Sequence, residues 1–574
     1  MLKQRVSLFW AYLSVHRRRA GFLGLLVLLN VTLTVLNPQW LGRFIDRAGE
    51  GGSTDSLVRI ALVFIALTIL NQVVVTIAGY VAEDLSWRAT NKLRTDLVDH
   101  CLDLDMSFHK EHTPGELIER IDGDVATMGG FFSTFVFHMF ANSVLAVGIV
   151  GVTFFVDWRT GLTLLAFALV VVPLVRKAQR RVKPYFTAMR QTNAELSGVL
   201  EESVSATEDV RGNGAERYVL ARLDGHLDRF RRLMKIEAVA TRASSSILEV
   251  SVALATGGIF ALGAYLISHG DMALGQLYVS YFYMSMLSMA LFRIAYRIDG
   301  LQVALASMDR TTEILDTESR VADSGRTAFP ATPPTIEIDG VTFSYAPGTP
   351  TLNDISFEVP AGQSLALLGR TGSGKTTVGR LLHRAMDATG GSIRFAGTDI
   401  RDIPLDELHR QVGVVTQDVH IFRASVRDNL TMFDPDITDD QVWAALDGLA
   451  VKEWISGLPD QLDTVLQDGN GAISAGQAQL LALTRLFLRD PAVIVLDEPS
   501  SRLDPATERL IHRSLTELME GRTAVVIAHH LSTIKNLDRV VILEDGEVLE
   551  SGERETLAAD PSSRLSSLLT GSYA

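Results

Sequence analysis

The sequence predicts an all-α polytopic membrane domain of six spanning helices with long cytosolic extensions, followed by an α/β P-loop domain. Three observations predict it. Charge-free apolar runs crowd the first half of a chain whose mean hydropathy, +0.20, is high for a water-soluble protein. Between those runs lie long polar, partly basic stretches that keep helical periodicity with few breakers. In the second half, "SLALLGRTGSGKTTVGRLL" reads as an apolar strand, a glycine loop and a helix.

A spanning helix needs about 20 largely apolar residues. Runs that meet or approach this place a transmembrane domain over residues 1–316, with spans near 21–41, 60–82, 130–156, 158–176, 247–268 and 272–294. "HRRR" before the first run puts the N-terminus inside by the excess of basic residues. The first, third and fifth connections are mixed in sign or very short and fall outside. The second and fourth, about Glu83–Asp124 and Arg176–Glu249, are long and return through the cytosol, with turns near "HKEHTPGEL" and "GNGAERYVL". Something cytosolic must receive those turns. Phe9, Trp10, Tyr12 and Leu13 share one face at helical spacing and suggest a helix along the membrane surface. The N-terminus has no short apolar core followed by a small-residue cleavage site, so no cleaved signal peptide is expected. Glu249 is expected near the inner boundary, in a structural pair with Arg293, and His138 to pack within the third span.

The single cysteine, Cys101, excludes an intrachain disulfide framework and a cysteine-cluster metal site. The net charge of −14 argues against nucleic acid as a partner. Residues 317–335 turn polar and carry Pro330, Pro333 and Pro334, the composition of a linker, and a soluble domain is expected over 336–574.

That soluble domain carries the chemistry. Gly369, Gly374, Lys375 and Thr376 have P-loop spacing, and Arg370, Thr371, Gly372, Ser373 and Thr377 complete the loop and the first helical turn. Glycines let backbone N–H groups approach phosphates, Lys375 reaches the β and γ groups, and Thr376 offers its hydroxyl to Mg²⁺. ATP and Mg²⁺ are the cofactors this implies. In "AVIVLDEPSSRLD" a buried strand ends in acids: Asp497 can orient the Mg²⁺ shell, and Glu498 is placed to polarise a water in line with the γ-phosphate. "GNGAISAGQAQ" is small and glycine-rich ahead of the apolar "LLALTRLFL", so it reads as a helix start and a second anion site.

Together these residues resemble an ABC ATPase domain. On that resemblance Tyr345 of "FSYAPG" would stack on adenine. Gln417 of "VVTQD" would sense Mg²⁺ and touch the transport domain, His529 of "VVIAHHLST" would contact the γ-phosphate, and Asp504 of "SRLD" would sit on the loop that crosses to the partner. "ISAGQ" resembles the family signature, which closes on nucleotide held by the opposite chain. Ser474, Gly476 and Gln477 are thereby implied to face a partner's phosphate loop. Ala475 stands where the signature has glycine; Ala478, Asp468, Asn470 and His530 also depart from the usual pattern. The departures favour a heterodimer with one weakened site over a homodimer.

The membrane half, with "HTPGELIERIDGDV" and "ALASMDRTTEIL", is similar to half-size ABC exporters of the multidrug and lipid class. This implies ATP-driven export of a hydrophobic or amphipathic small molecule or lipid by alternating access. The protein would be multi-pass in the inner (plasma) membrane, with its ATPase domain and N-terminus cytoplasmic. Its partners would be a second half-transporter, the lipid bilayer and the substrate. An importer on the same scaffold and a non-transporting regulator remain open.

Overall fold

The computed structural model describes residue 12 and residues 14–330, 333–346, 348–466, 473–497, 505–528 and 534–570. Its chain forms two compact units. Met1–Leu102 and Pro114–Thr317 make one; Asp103–Thr113 and Glu318–Ala574 make the other.

The first unit is helical. Helix α1 is Arg17–Gly49 and α2 is Thr54–Asp103; the short α3, Met106–Glu111, belongs to the second unit. Then come α4 (Val125–Thr134), α5 (Ala141–Val156), α6 (Trp158–Ser205), α7 (Glu216–Ser268) and α8 (Leu274–Leu315). Among the described residues five helices are long and apolar enough to cross a membrane: α1, α2, α6, α7 and the Leu274–Ala295 part of α8. Helix α5 is apolar but shorter. It continues α4 through a π-helical stretch, Phe135–Phe140, so the helical backbone runs unbroken from Val125 to Val156 while no single α segment there has a span's length.

Length explains the arms. Helix α2 has 50 residues, about 75 Å at 1.5 Å per residue, against a hydrocarbon core of about 30 Å. Beyond their apolar spans α6 and α7 run side by side, with Arg229 on Glu195 and Arg222 on Glu202, each at 3.1 Å. Exposed pairs of this kind contribute little. The stronger seam is apolar: Leu164, Val171 and Val175 of α6 pack with Leu248 and Ile259 of α7 and with Tyr283 and Leu287 of α8. Several polar groups inside this bundle pair with one another, which offsets the cost of removing them from water. The Tyr283 hydroxyl donates to the Val35 carbonyl at 2.7 Å and accepts from Gln39, and Asn30 donates to Asn71 at 2.9 Å.

The two membrane-half motifs meet in space. Asp124 of "RIDGDV" is buried and accepts hydrogen bonds from Ser307 at 2.8 Å and from Arg310 Nε at 2.7 Å, both in "ASMDR" of α8. A buried carboxylate needs such partners, and losing Arg310 would leave it with one neutral donor. Glu249 pairs with Arg242 on its own helix at 3.6 Å, not with Arg293, because two helical turns bring them onto one side of α7. Phe9, Trp10, Leu13 and the His138 side chain lie outside the described residues; the Tyr12 hydroxyl donates to Asp96 at 3.0 Å.

The second unit is α/β. Strands β1 (Ile336–Phe343), β2 (Leu352–Val359), β4 (Gly390–Phe395) and β5 (Thr398–Asp399) form an antiparallel sheet ordered β2-β1-β4-β5. Strands β3 (Ser364–Gly369), β6 (Val412–Val415), β7 (Val493–Asp497), β8 (Thr523–Ile527), β9 (Arg539–Glu544) and β10 (Glu547–Glu553) form the second, ordered β10-β9-β3-β8-β7-β6. All its neighbours run parallel except β10 against β9. The parallel strands read as unbroken apolar runs because both faces are covered. Ala366, Leu368, Ile494 and Leu496 enter one core, whereas Leu365, Leu367, Val493 and Val495 enter the other. This period-two division places helix α9 (Lys375–Leu382) on one face and α10 (Ala475–Arg489) on the other. Helix α11, Pro505–Met519, packs with α10 on the same side.

Candidate functional site

Parallel strands end at one edge, so the segments leaving them converge there. Strand β3 ends in the loop Arg370–Gly374, β7 ends at Asp497, and Gln417 is exposed two residues beyond β6. Strand β8 leads through Ala528 to His529. Glu498, Asp504, His529, Asp468, Asn470 and His530 lie outside the described residues.

The loop is built around backbone that only glycine adopts without strain. Gly369 and Gly374 have φ of +148° and +100°. A Cβ on Gly369 would stand 2.2 Å from the Leu543 carbonyl oxygen, and one on Gly374 would stand 2.4 Å from Leu352 Cδ2. The ammonium of Lys375 is buried within the curve of the loop and donates to the carbonyls of Gly369 at 2.8 Å and Arg370 at 2.9 Å. The Ser373 hydroxyl is buried and has no hydrogen-bond partner. An orphaned hydroxyl, a held cation and the first-turn N–H groups of α9, Lys375, Thr376 and Thr377 among them, suit an anion with several acceptor oxygens. The cradle therefore fits the phosphates of ATP.

Tyr345, just past β1, is fixed by its edge. Its hydroxyl lies 3.2 Å from Thr377 Oγ1 and accepts from Arg380 at 3.2 Å, both on α9, and its ring meets Phe343 at 4.9 Å, nearly perpendicular. Helix α9 also carries His383 just past its end. Its Nδ1 pairs with the Gly379 carbonyl at 2.8 Å, and enclosure of the ring pushes its pKa down to about 4, against an ordinary 6.5. The unfolded chain then binds a proton that the folded chain refuses, so stability falls as pH drops from about 6.5 toward 4. We expect the melting temperature of the whole protein in nanodiscs to fall over that window. A His383→Leu variant should flatten that part of the fall, whose ceiling is about 3 kcal/mol. An unchanged slope in the variant would locate the pH sensitivity elsewhere.

The stretch that the sequence marks as a candidate second anion site is described from Ile473 onward, and Ser474 opens its helix. That residue is the N-cap of α10: Ser474 Oγ accepts from the Gln477 backbone N–H, and Gln477 Oε1 accepts from the Ser474 backbone N–H at 2.9 Å. A hydroxyl that accepts as a cap retains its proton for a phosphate. Gly476 is buried in the first turn and Ala475 is exposed.

Sequence reading missed Arg485. It donates from α10 to the carbonyls of Asn429 at 2.7 Å and His420 at 3.0 Å, and to Asn429 Oδ1. Asn429 is fully buried and exchanges hydrogen bonds with the Phe422 backbone. The stretch after Gln417 is thus tied to the helix that begins at Ser474. Burial holds the Arg485 guanidinium below its usual range. The available signal was an arginine inside an otherwise apolar helical stretch.

Comparison with known proteins agrees with this geometry. Residues 21–291 match the family described as the ABC transporter transmembrane region and residues 352–501 the family described as ABC transporter. An ATP-dependent lipid A-core flippase of Desulfotalea psychrophila is 30% identical over 499 residues, spanning 86% of this chain and 87% of that protein. A multidrug resistance ABC transporter ATP-binding and permease protein of Lactococcus lactis is 29% identical, spanning 94% and 90%. A solved bacterial Atm1-family ABC exporter with ATP bound shares the fold, with a TM-score of 0.81 at 24% identity over 98% of this chain and 99% of that one. The chain belongs to the ABC transporter family: it is an exporter-type half-transporter, a multi-pass membrane protein whose ATPase domain binds ATP and couples its hydrolysis to transport.

Proposed function

We propose that this chain exports a hydrophobic or amphipathic small molecule or lipid by alternating access, as one half of a dimer. The observation that carries the reading is the cradle at Gly369–Thr376, set at the same sheet edge as Asp497 and Gln417 and fused to a bundle of apolar helices. The relatives named as lipid A-core flippase and multidrug transporter support that cargo class.

In this reading Tyr345 stacks on adenine and the loop Gly369–Thr377 holds the phosphates. Lys375 lets go of its two carbonyls to meet the β and γ oxygens. Thr376, Asp497 and Gln417 would hold Mg²⁺, which when bound offsets charge on the β- and γ-phosphates. Glu498 orients the attacking water and His529 donates to the γ-phosphate. The partner's Ser474, Gly476 and Gln477 close the pocket from the opposite side, with Asp504 on the crossing loop. ATP acts only because it binds the closed pair better than the open one. Ala475 adds a methyl in the first turn of the signature helix, which favours a heterodimer in which this signature faces the weaker site. The ATPase unit and N-terminus are cytoplasmic, in the plasma membrane.

Proteoliposomes test the reading. With Mg-ATP supplied on the ATPase side, a fluorescent amphipathic lipid or dye should leave that side only when ATP is hydrolysed. Movement toward the ATPase side, or none with any tested cargo while ATP is consumed, would overturn it.

A further inference from the structure

The segment Asp103–Thr113 comes from the first arm but folds with the ATPase unit. It is anchored at several points. Asp105 Oδ2 accepts from the Arg320 backbone N–H at 2.7 Å, Oδ1 caps Ser107, and the Met106 N–H reaches the Ala385 carbonyl just past α9. Phe108 is buried and stacks on His112 at 4.4 Å. At the end of this short helix the Lys110 ammonium lies over the Tyr345 ring, 3.5 Å from its centroid.

That distance is van der Waals contact, so nothing can stack on the face Lys110 covers. The Tyr345 ring is held through its hydroxyl by Thr377 and Arg380 and packs against Phe343, contacts internal to the unit. Lys110 itself is exposed, so its side chain can leave the ring for solvent, and the face it covers then becomes available.

We propose that Lys110 and the adenine of ATP compete for the same face of Tyr345, so that base binding lifts the arm's cation off the pocket. Lys110 is then a positioning residue that reports the nucleotide to the first arm. It rests on the reading of Tyr345 as the base-stacking residue. The coupling is reciprocal: an arm that presses Lys110 onto the ring weakens base binding, and a bound base weakens that arm contact by the same factor.

The test measures equilibrium binding to the full-length protein in nanodiscs, without Mg²⁺, of ATP and of inorganic tripolyphosphate, which has no base. Lys110→Met keeps the stem and removes the charge. ATP affinity should rise about 3- to 10-fold, the range of a partly desolvated cation on an aromatic face, while tripolyphosphate affinity stays constant. Lys110→Arg should restore the weaker ATP binding. In a Tyr345→Ala background the Lys110→Met effect should vanish. Unchanged or weaker ATP binding in Lys110→Met, or equal shifts for both ligands, would overturn the competition. Tyr345→Ala alone separates the two readings: if it leaves the ATP-to-tripolyphosphate preference intact, the stacking role itself is wrong.

Discussion

Glu498→Gln in nanodiscs is expected to bind ATP with near wild-type affinity and to hydrolyse it about 10²- to 10⁴-fold more slowly, the usual contribution of a placed general base. The expectation follows from position. In sequence Glu498 follows Asp497, the last residue of β7, and β7 pairs with β8, which pairs in turn with β3, the strand ahead of the phosphate loop. An amide keeps the size and can still accept a hydrogen bond through its carbonyl, but it cannot take a proton from water. Phosphate release would measure the loss, and a fluorescent ATP analogue the retained binding. Wild-type turnover in the variant would remove Glu498 from this role.

A second large effect concerns the pairing of chains. Lys375 is buried and bonded to the loop it serves, so Lys375→Ala removes the cation at the centre of the phosphate cradle. Ser474 sits on a different element, the N-cap of α10. The pairing rule applies whether the partner is a relative or a second copy, and it is tested in dimers assembled from two copies of this chain that carry between them one Lys375→Ala and one Ser474→Ala. With both changes on one chain, each pocket loses a wall, and hydrolysis should fall by about 10²-fold or more, as when a single oxyanion donor is removed. With the changes on opposite chains, both fall in one pocket and the other is whole, so about half the activity should remain. Equal activities in the two arrangements would refute head-to-tail closure.

The resemblance read from the residues was sufficient for the family, and the reason is local. A P-loop is a contiguous run in which each residue type answers to one phosphate contact, so Gly369, Gly374, Lys375 and Thr376 announce it without tertiary information. Spans are similarly legible, because a bilayer demands length and apolarity from one continuous segment. The third was harder: its helix passes through a π-helical stretch that composition does not mark. Pairings between distant residues were least legible. Depth in the membrane matches Glu249 to Arg293, yet the side chain within reach is Arg242 on the same helix. Arg485 escaped notice because its role is to bond two carbonyls, and carbonyls leave no trace in residue type.

By itself, then, the sequence determined the class of each half, the presence of a P-loop between a strand and a helix, and the membership in a family of ATP-driven transporters. These depend on short-range patterns that survive without knowledge of the fold. Only the tertiary structure decided that Asp124 joins Ser307 and Arg310, that Arg485 holds the segment after Gln417, and that Lys110 lies on Tyr345. Those contacts bridge 183 to 235 residues of chain in two cases and 56 to 65 in the other. Over such distances the partner is chosen by how helices and strands pack, and no local spacing encodes it.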